Sequence, residues 1–147
     1  MRNLTTAEWA FVKKLPEEHA LFFVTPTWFT KANPDCNEAM RGLLRESGFV
    51  DFDRLGFGED YRVYVSAVYP DGSPTLLTLY RTRTRGDKRI NLPSLKTHCD
   101  AGDVMALVVK RGRVCICNVT QSRGSEILSR VQTRSKQANW SEPKWSF

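Results

Sequence analysis

The segment Tyr61–Thr84 reads YRVYVSAVYPDGSPTLLTLYRTRT and contains two runs of β-forming residues around a turn. Tyr61–Tyr69 is rich in β-branched and aromatic side chains, which are typical of strands. Asp71-Gly72 is a strong hairpin-turn dipeptide, and Thr75–Thr84 has the composition of a returning partner strand. The segment therefore predicts an antiparallel hairpin.

A second hairpin is predicted nearer the C-terminus. Val104–Val109 and Val114–Val119 are apolar runs of strand length, joined by the turn Lys110-Arg111-Gly112-Arg113. Between the two hairpins, Leu92–His98 fits one short helix, with Pro93 in its first turn. The chain is thus expected to form a sheet of four or more strands.

Two helices are predicted before the first hairpin. The capping-box pattern Thr5-x-x-Glu8 precedes apolar residues at helical spacing and predicts a helix over Thr6–Leu15. Asn33 as N-cap and a proline in the first turn predict a second helix over Pro34–Ser47.

The remaining segments complete an α+β architecture. Ala20–Val24, with Trp28 and Phe29 after it, predicts a strand or extended segment, and the acidic, glycine-rich stretch 49–60 predicts a connecting loop with buried aromatics. We expect two N-terminal helices packed on a mostly antiparallel sheet or small open barrel. Residues 1–120 would form a single domain, and 121–147 a basic, weakly structured tail.

Composition favours a cytoplasmic globular protein. Of the 147 residues, 41% are hydrophobic and 26% charged, as in ordinary globular domains. No apolar run approaches the roughly 18 residues of a membrane span, and the first residues lack the apolar core of a signal peptide. Four cysteines in a chain of this length favour reduced thiols rather than a disulfide framework.

The positive charge is concentrated in one part of the chain. The formal net charge is +6, and the span 80–113 alone holds nine basic and three acidic residues, an excess of six. The rest of the chain is therefore balanced. A local basic excess bears on partners and indicates a polyanion as the ligand.

The row Arg81, Arg83 and Arg85 is the most specific feature of this span. In an extended strand, alternate residues share a side, so the three guanidinium groups would lie roughly 6.6 Å apart and repel one another. A phosphate chain lying across them would offset that repulsion. The alternatives are an edge strand protected by its charges and a surface for a protein partner.

Other residues extend this basic surface. Lys88 and Arg89 follow the turn Gly86-Asp87, where Asp87 is expected to orient a neighbouring arginine, and Tyr80 is placed to stack or to bond a phosphate. The tip of the second hairpin would flank them. The predicted nucleic-acid-binding residues are Tyr80, Arg81, Arg83, Arg85, Lys88, Arg89, Lys110, Arg111 and Arg113.

Patterns for metal or catalytic sites are weak. Cys115-x-Cys117 with His98-Cys99 lacks zinc-ligand spacing, and apolar neighbours favour buried, inert thiols. A metal nuclease of the PD-(D/E)xK kind needs an acidic residue on one strand and an acid-x-Lys sequence on the next. Pro70-Asp71 lies in a turn. Glu142-Pro143-Lys144 has the acid-x-Lys sequence, but Pro143 disfavours a catalytic strand. The sequence therefore predicts no catalytic residue, no metal and no cofactor.

Residues 79–90, LYRTRTRGDKRI, followed by Leu95-Lys96 and residues 101–107, AGDVMAL, resemble a segment of bacterial restriction-endonuclease-associated proteins of the MvaI/BcnI or EcoRII type. The resemblance covers about 30 residues. It departs from the family pattern at Lys88, where the family has proline, and at Asn91, where it has an aromatic residue.

The resemblance implies a DNA-recognition module, similar to the pseudobarrel related to the plant B-three type. It implies that Tyr80, Arg81, Arg83, Arg85 and Arg89 lie at or near DNA.

The leading hypothesis is a non-catalytic module that binds DNA, with double-stranded DNA favoured, in a bacterial restriction or phage-defence system. A separate nuclease or methyltransferase subunit is the expected protein partner. The alternatives are a small metal-dependent nuclease or toxin that uses Asp51 and Asp53, which with Glu59 and Asp60 could gather a divalent ion, and an RNA-binding module.

Overall fold

The structure is a computed structural model, and it describes residues 3–16, 18–31 and 34–120. This part of the chain has an α+β fold, as the sequence predicts, with three helices and a six-stranded mixed sheet curled into a half-barrel. No helix within the described residues is both long enough and apolar enough to cross a membrane. The tail predicted at 121–147 lies outside the described residues.

The elements follow one another in a simple order. The helices are α1 (Thr6–Val12), α2 (Pro26–Lys31) and α3 (Glu38–Glu46), and the strands are β1 (His19–Phe23), β2 (Val63–Val68), β3 (Pro74–Arg81), β4 (Lys88–Asn91), β5 (Val104–Lys110) and β6 (Arg113–Asn118). Short 3-10 turns occupy Phe52–Arg54, Glu59–Tyr61 and Leu95–Thr97.

The sheet has the strand order β1-β5-β6-β2-β3-β4. Both predicted hairpins are confirmed as the antiparallel pairs β2–β3 and β5–β6. The two hairpins are joined by the parallel pairing of β2 with β6, in which Ala67 lies opposite Val114. This parallel pair makes the sheet mixed rather than purely antiparallel.

The helices differ from the predictions at their ends and in number. The capping box at Thr5 and Glu8 is confirmed, but α1 ends at Val12, where i to i−3 hydrogen bonds close its last turn. The third helix begins at Glu38 and not at Pro34, because the Asn37 side chain accepts the Met40 N–H at 2.8 Å and acts as N-cap.

Trp28 and Phe29 lie in a helix that the sequence analysis did not predict. The Thr25 hydroxyl accepts the Trp28 N–H at 3.0 Å, and Pro26 occupies the first helical position. A threonine N-cap followed by proline is a known helix start, so this helix could have been predicted from Thr25-Pro26.

Apolar side chains pack on both faces of the sheet. The larger core lies under α2 and α3 and includes Phe22, Leu77 and Leu107. The second core lies under α1 and includes Val108 and Cys115. It covers mainly the β1, β5 and β6 side of the other face, with Val68 at the end of β2 packed against it. The β2–β3 part of that face is not covered by α1, and its side chains are available for a site.

Candidate nucleic-acid interface

Strand directions make the two basic hairpin turns point the same way along the sheet. β3 ends beside the first residues of β2, with Leu79 opposite Val63, whereas β6 begins beside the last residues of β2, with Val114 opposite Ala67. Both turns therefore point toward the end where β2 begins, but the β5–β6 turn lies several residues short of the β3–β4 turn. We call the two turns and the residues that flank them the basic end; it carries Arg81, Arg83, Arg85, Lys88, Arg89, Lys110, Arg111 and Arg113.

The predicted three-arginine strand face is wrong. Strand β3 ends at Arg81, which pairs with Lys88 of β4, and Arg83 and Arg85 lie in the turn between them. The Thr82 carbonyl and hydroxyl accept the Gly86 and Asp87 N–H groups, and Gly86 has a φ of 71°. These bonds close a turn that the alternating sequence did not indicate.

Arg81 is a structural residue of this turn. Its Nε donates to the Gly86 carbonyl at 2.8 Å, and one terminal nitrogen donates to the Phe52 carbonyl at 3.3 Å. Its guanidinium also lies 4.5 Å from the ring centroid of Phe57. These contacts hold the turn to the neighbouring loop, so Arg81 is already occupied within the molecule.

Lys88 and Arg89 face carboxylates of the same chain. The Lys88 Nζ lies 2.8 Å from Asp53, and Arg89 lies 3.2 Å from both Asp35 and Asp87. The Lys88 hydrogen bond and charge lower the pKa of the Asp53 carboxyl. The expected contact of Asp87 with an arginine is confirmed, but the two cations are largely neutralised rather than presented to a ligand.

Arg83 and Arg85 are the exposed cations of the β3–β4 turn. Within the described part of the chain, neither makes a hydrogen bond or ion pair with another residue. The fold thus holds the Arg83 and Arg85 side chains in solvent within one hairpin turn. An unneutralised pair of this kind is suited to a phosphate backbone.

The β5–β6 turn supplies the second basic tip. Lys110 and Arg113 face each other as the last pair of the hairpin, and Arg111 and Gly112 turn the chain with φ values of 53° and 75°. The predicted basic hairpin is confirmed in position, and Arg111 and Arg113 are exposed. A polyanion that contacts both turns must span the offset between them along the sheet.

Aromatic side chains beside the basic end were not among the predicted site residues. Phe57 is 47% exposed, contrary to the expected burial of aromatics in that loop, and Tyr61 is also exposed. A cavity of about 500 Å³ opens between Phe57, Tyr80 and Arg83. Arg62, which lines it, has its guanidinium 5.5 Å from the Tyr80 ring centroid. Period-two spacing could have indicated that Arg62 and Tyr64 share a sheet face.

Gly86 is expected to be required for the shape of the basic turn. A Cβ at Gly86 would overlap the Phe57 ring, whereas a Cβ at Gly112 would meet no atom within 4 Å, and both glycines have positive φ. Gly112→Ala should cost about 1–2 kcal/mol of unfolding free energy from left-handed strain alone. Gly86→Ala should cost about 1 kcal/mol more, because the half-exposed Phe57 ring must move from Arg81.

Urea unfolding of the two alanine variants measures this difference. Equal losses of stability would contradict the packing of Phe57 against Gly86 in solution.

The carboxylates of the predicted acidic loop are engaged in local contacts. Asp51 accepts the Asp53 N–H at 3.1 Å and lies 3.7 Å from Arg54, and Asp53 pairs with Lys88. Among the described residues, no group of three or more His, Cys, Asp or Glu side chains is arranged to hold a metal ion. The loop therefore gives the nuclease alternative no geometric support.

The four cysteines are free and buried. Cys115 and Cys117 lie in the core under α1, whereas Cys99 lies in the core on the opposite face of the sheet. Burial raises the pKa of Cys36 and of Cys117 to about 12, so both thiols are neutral at physiological pH. This arrangement agrees with inert core cysteines and separates the residues of the suggested zinc set.

Comparisons with protein-family models, curated proteins and solved structures found no match to this chain.

Proposed function

We propose that this chain is a non-catalytic, cytoplasmic DNA-binding module that contacts DNA through its basic end. The observation that carries the proposal is that two basic hairpin turns of one sheet point the same way, with Arg83 and Arg85 unneutralised by described carboxylates. Duplex DNA is the favoured ligand.

A phosphate backbone fits the chemistry of these two turns. Arginine is the side chain whose planar fork matches phosphate oxygens and the guanine edge, and five basic residues lie in or beside the two turns. A two-stranded β-ribbon also fits the DNA major groove. Contacts to phosphate would supply most of the affinity, and a tip entering the groove would supply sequence preference.

Contacts within the molecule change which of the predicted residues we expect to bind DNA. Arg83, Arg85, Lys110, Arg111 and Arg113 form the proposed contact set. Arg81 holds the turn. Lys88 pairs with Asp53, and Arg89 pairs with Asp35 and Asp87, so these carboxylates offset the two positive charges. Tyr80 lies on the neighbouring sheet face, outside this duplex contact set.

The resemblance to restriction-endonuclease-associated proteins supports assigning the module to a restriction or phage-defence system. In that setting it would deliver a separate nuclease or methyltransferase subunit to DNA. This part of the proposal depends on the short motif of residues 79–107 alone.

Titration of a duplex oligonucleotide across several salt concentrations tests the proposal. Four or five phosphate contacts predict that the logarithm of the binding constant falls with the logarithm of salt with a slope of about −3.5 to −4.5. Fluorescence anisotropy with a labelled 20-base-pair duplex measures it, and an RNA duplex of the same sequence separates the RNA alternative. A salt-independent response would remove the proposed electrostatic basis of binding.

A further inference from the structure

The face of β2 and β3 that α1 leaves uncovered carries a row of aromatic and apolar side chains. Alternate residues of the two strands share this face, because Val65 and Leu77 between them point into the larger core. Tyr64 is 56% exposed and Leu76 is 45% exposed. Within the described residues, no helix packs on this part of the sheet.

Two tyrosines on this face are placed as neighbouring stacking surfaces. Tyr64 lies directly opposite Thr78, and Tyr80 is two residues further along the same strand. Diagonal neighbours of this kind are roughly 7–8 Å apart across an antiparallel pair. Successive bases of an extended strand can therefore each meet one ring.

Positive charge borders the same rings. The Arg62 guanidinium lies 5.5 Å from the Tyr80 centroid, and Arg83 lines the cavity beside it. The Glu59 carboxylate lies 3.6 Å from Arg62 in an ion pair exposed to solvent, and such a pair is weak. The lining of this cavity carries more positive than negative side chains: the arginines Arg62, Arg81 and Arg83 against the carboxylates Glu59 and Asp60.

Exposed rings in this position contribute little to folding. A tyrosine on a solvated sheet face removes less apolar area from water than one in the core, and an exposed aromatic patch marks a binding surface. Base stacking on aromatic side chains flanked by cations is the common mode of single-strand recognition on sheets. Charge complementarity selects a nucleic acid over an apolar protein segment as the occupant.

We propose that this face binds an unpaired strand of DNA, with bases stacked on Tyr64 and Tyr80 and phosphates against Arg62 and Arg83. The inference depends on the proposed function, since it adds a single-strand site beside the duplex-binding basic end. The preferred ligand is then DNA in which a duplex continues into a single-stranded segment.

The test uses three DNA probes built on the same 16-base-pair duplex. One probe is blunt, one carries a six-nucleotide single-stranded overhang on a 3′ end, and one carries it on a 5′ end. With the wild-type chain, at least one overhang should raise affinity about tenfold or more, because each stacked base contributes at least fivefold. Tyr64→Ala with Tyr80→Ala should abolish that gain and leave blunt-duplex affinity unchanged. The matched variant, Tyr64→Phe with Tyr80→Phe, keeps both rings and should keep the gain.

A second readout reports stacking directly. A 2-aminopurine base in the overhang should change its fluorescence on binding wild type and the phenylalanine variant, and not on binding the alanine variant. Should the double alanine variant fail to fold, Tyr64→Ala alone, at the more exposed position, should reduce the overhang gain by about fivefold or more.

The outcomes separate the two proposals. Blunt-duplex binding without any overhang gain, or a gain that survives loss of both rings, overturns the single-strand site and leaves the proposed function intact. Failure to bind either DNA overturns both. Self-association in sedimentation experiments that disappears in the alanine variant would assign the face to a second copy of the chain and so overturn the inference.

Discussion

Replacing both turn arginines, Arg83→Ala with Arg85→Ala, should weaken duplex DNA binding by about 50-fold at roughly 0.1 M salt. Each lost phosphate contact removes about 0.9 from the salt slope, which corresponds to roughly eightfold in affinity at that salt concentration. The slope itself should become shallower by about 1.8. Neither side chain makes a hydrogen bond or ion pair with another described residue, so the fold should not change.

The matched control is Lys96→Glu, which lowers net charge by the same two units. Lys96 lies in the connection between the end of β4 and the start of β5, and this connection is at the opposite end of the sheet. Because charges remote from the contact site are screened by salt, affinity should stay within about twofold of wild type. Equal losses in both variants would mean that binding follows net charge and not the hairpin tip.

The largest stability effect is expected at Tyr69, immediately after β2. Its ring is buried and stacked on His98 with centroids 3.5 Å apart, and its hydroxyl donates to the Pro93 carbonyl at 3.0 Å. Burial raises the pKa of the phenol, so the group stays neutral and keeps its proton to donate. Tyr69→Ala should cost about 3–5 kcal/mol of unfolding free energy, as for other large core truncations.

Tyr69→Phe separates the ring from the hydroxyl. It should cost only about 1 kcal/mol, because Pro93 still accepts a hydrogen bond from Thr75 at 3.2 Å. Urea unfolding with a common slope for both variants measures the two losses. A phenylalanine variant as unstable as the alanine variant would show that the hydrogen bond, and not the buried ring, holds this turn.

The fold class and the two hairpins could be predicted because their information is local. The runs around Asp71-Gly72 and Gly112 alternate or continue in apolar character over strand length, and the turn residues lie between them. The parallel pairing of β2 with β6 could not be predicted in this way, since it joins residues almost fifty positions apart. That pairing is what makes the two basic turns point the same way.

The sequence indicated which part of the chain is basic, but not how its basic side chains are arranged. Three alternating arginines are typical of a strand, but the Thr82 side chain and Gly86 fold the last two into a turn. The partners of Lys88 and Arg89 include Asp53 and Asp35, which are distant in sequence and become neighbours only through tertiary packing. The pairing of these cations with carboxylates could therefore not be predicted from the sequence.

The outer edge of β4 has a consequence for how this domain can assemble. The Lys88 carbonyl accepts the Cys36 N–H at 2.8 Å, and the Ile90 N–H donates to the Pro34 carbonyl at 3.1 Å, so two outward-facing backbone groups of this short strand are satisfied. An additional strand from another molecule would have to displace residues 34–36 before it could extend the sheet here. This covering segment should suppress fibre growth and strand exchange at β4, and it restricts recognition along that edge to side chains.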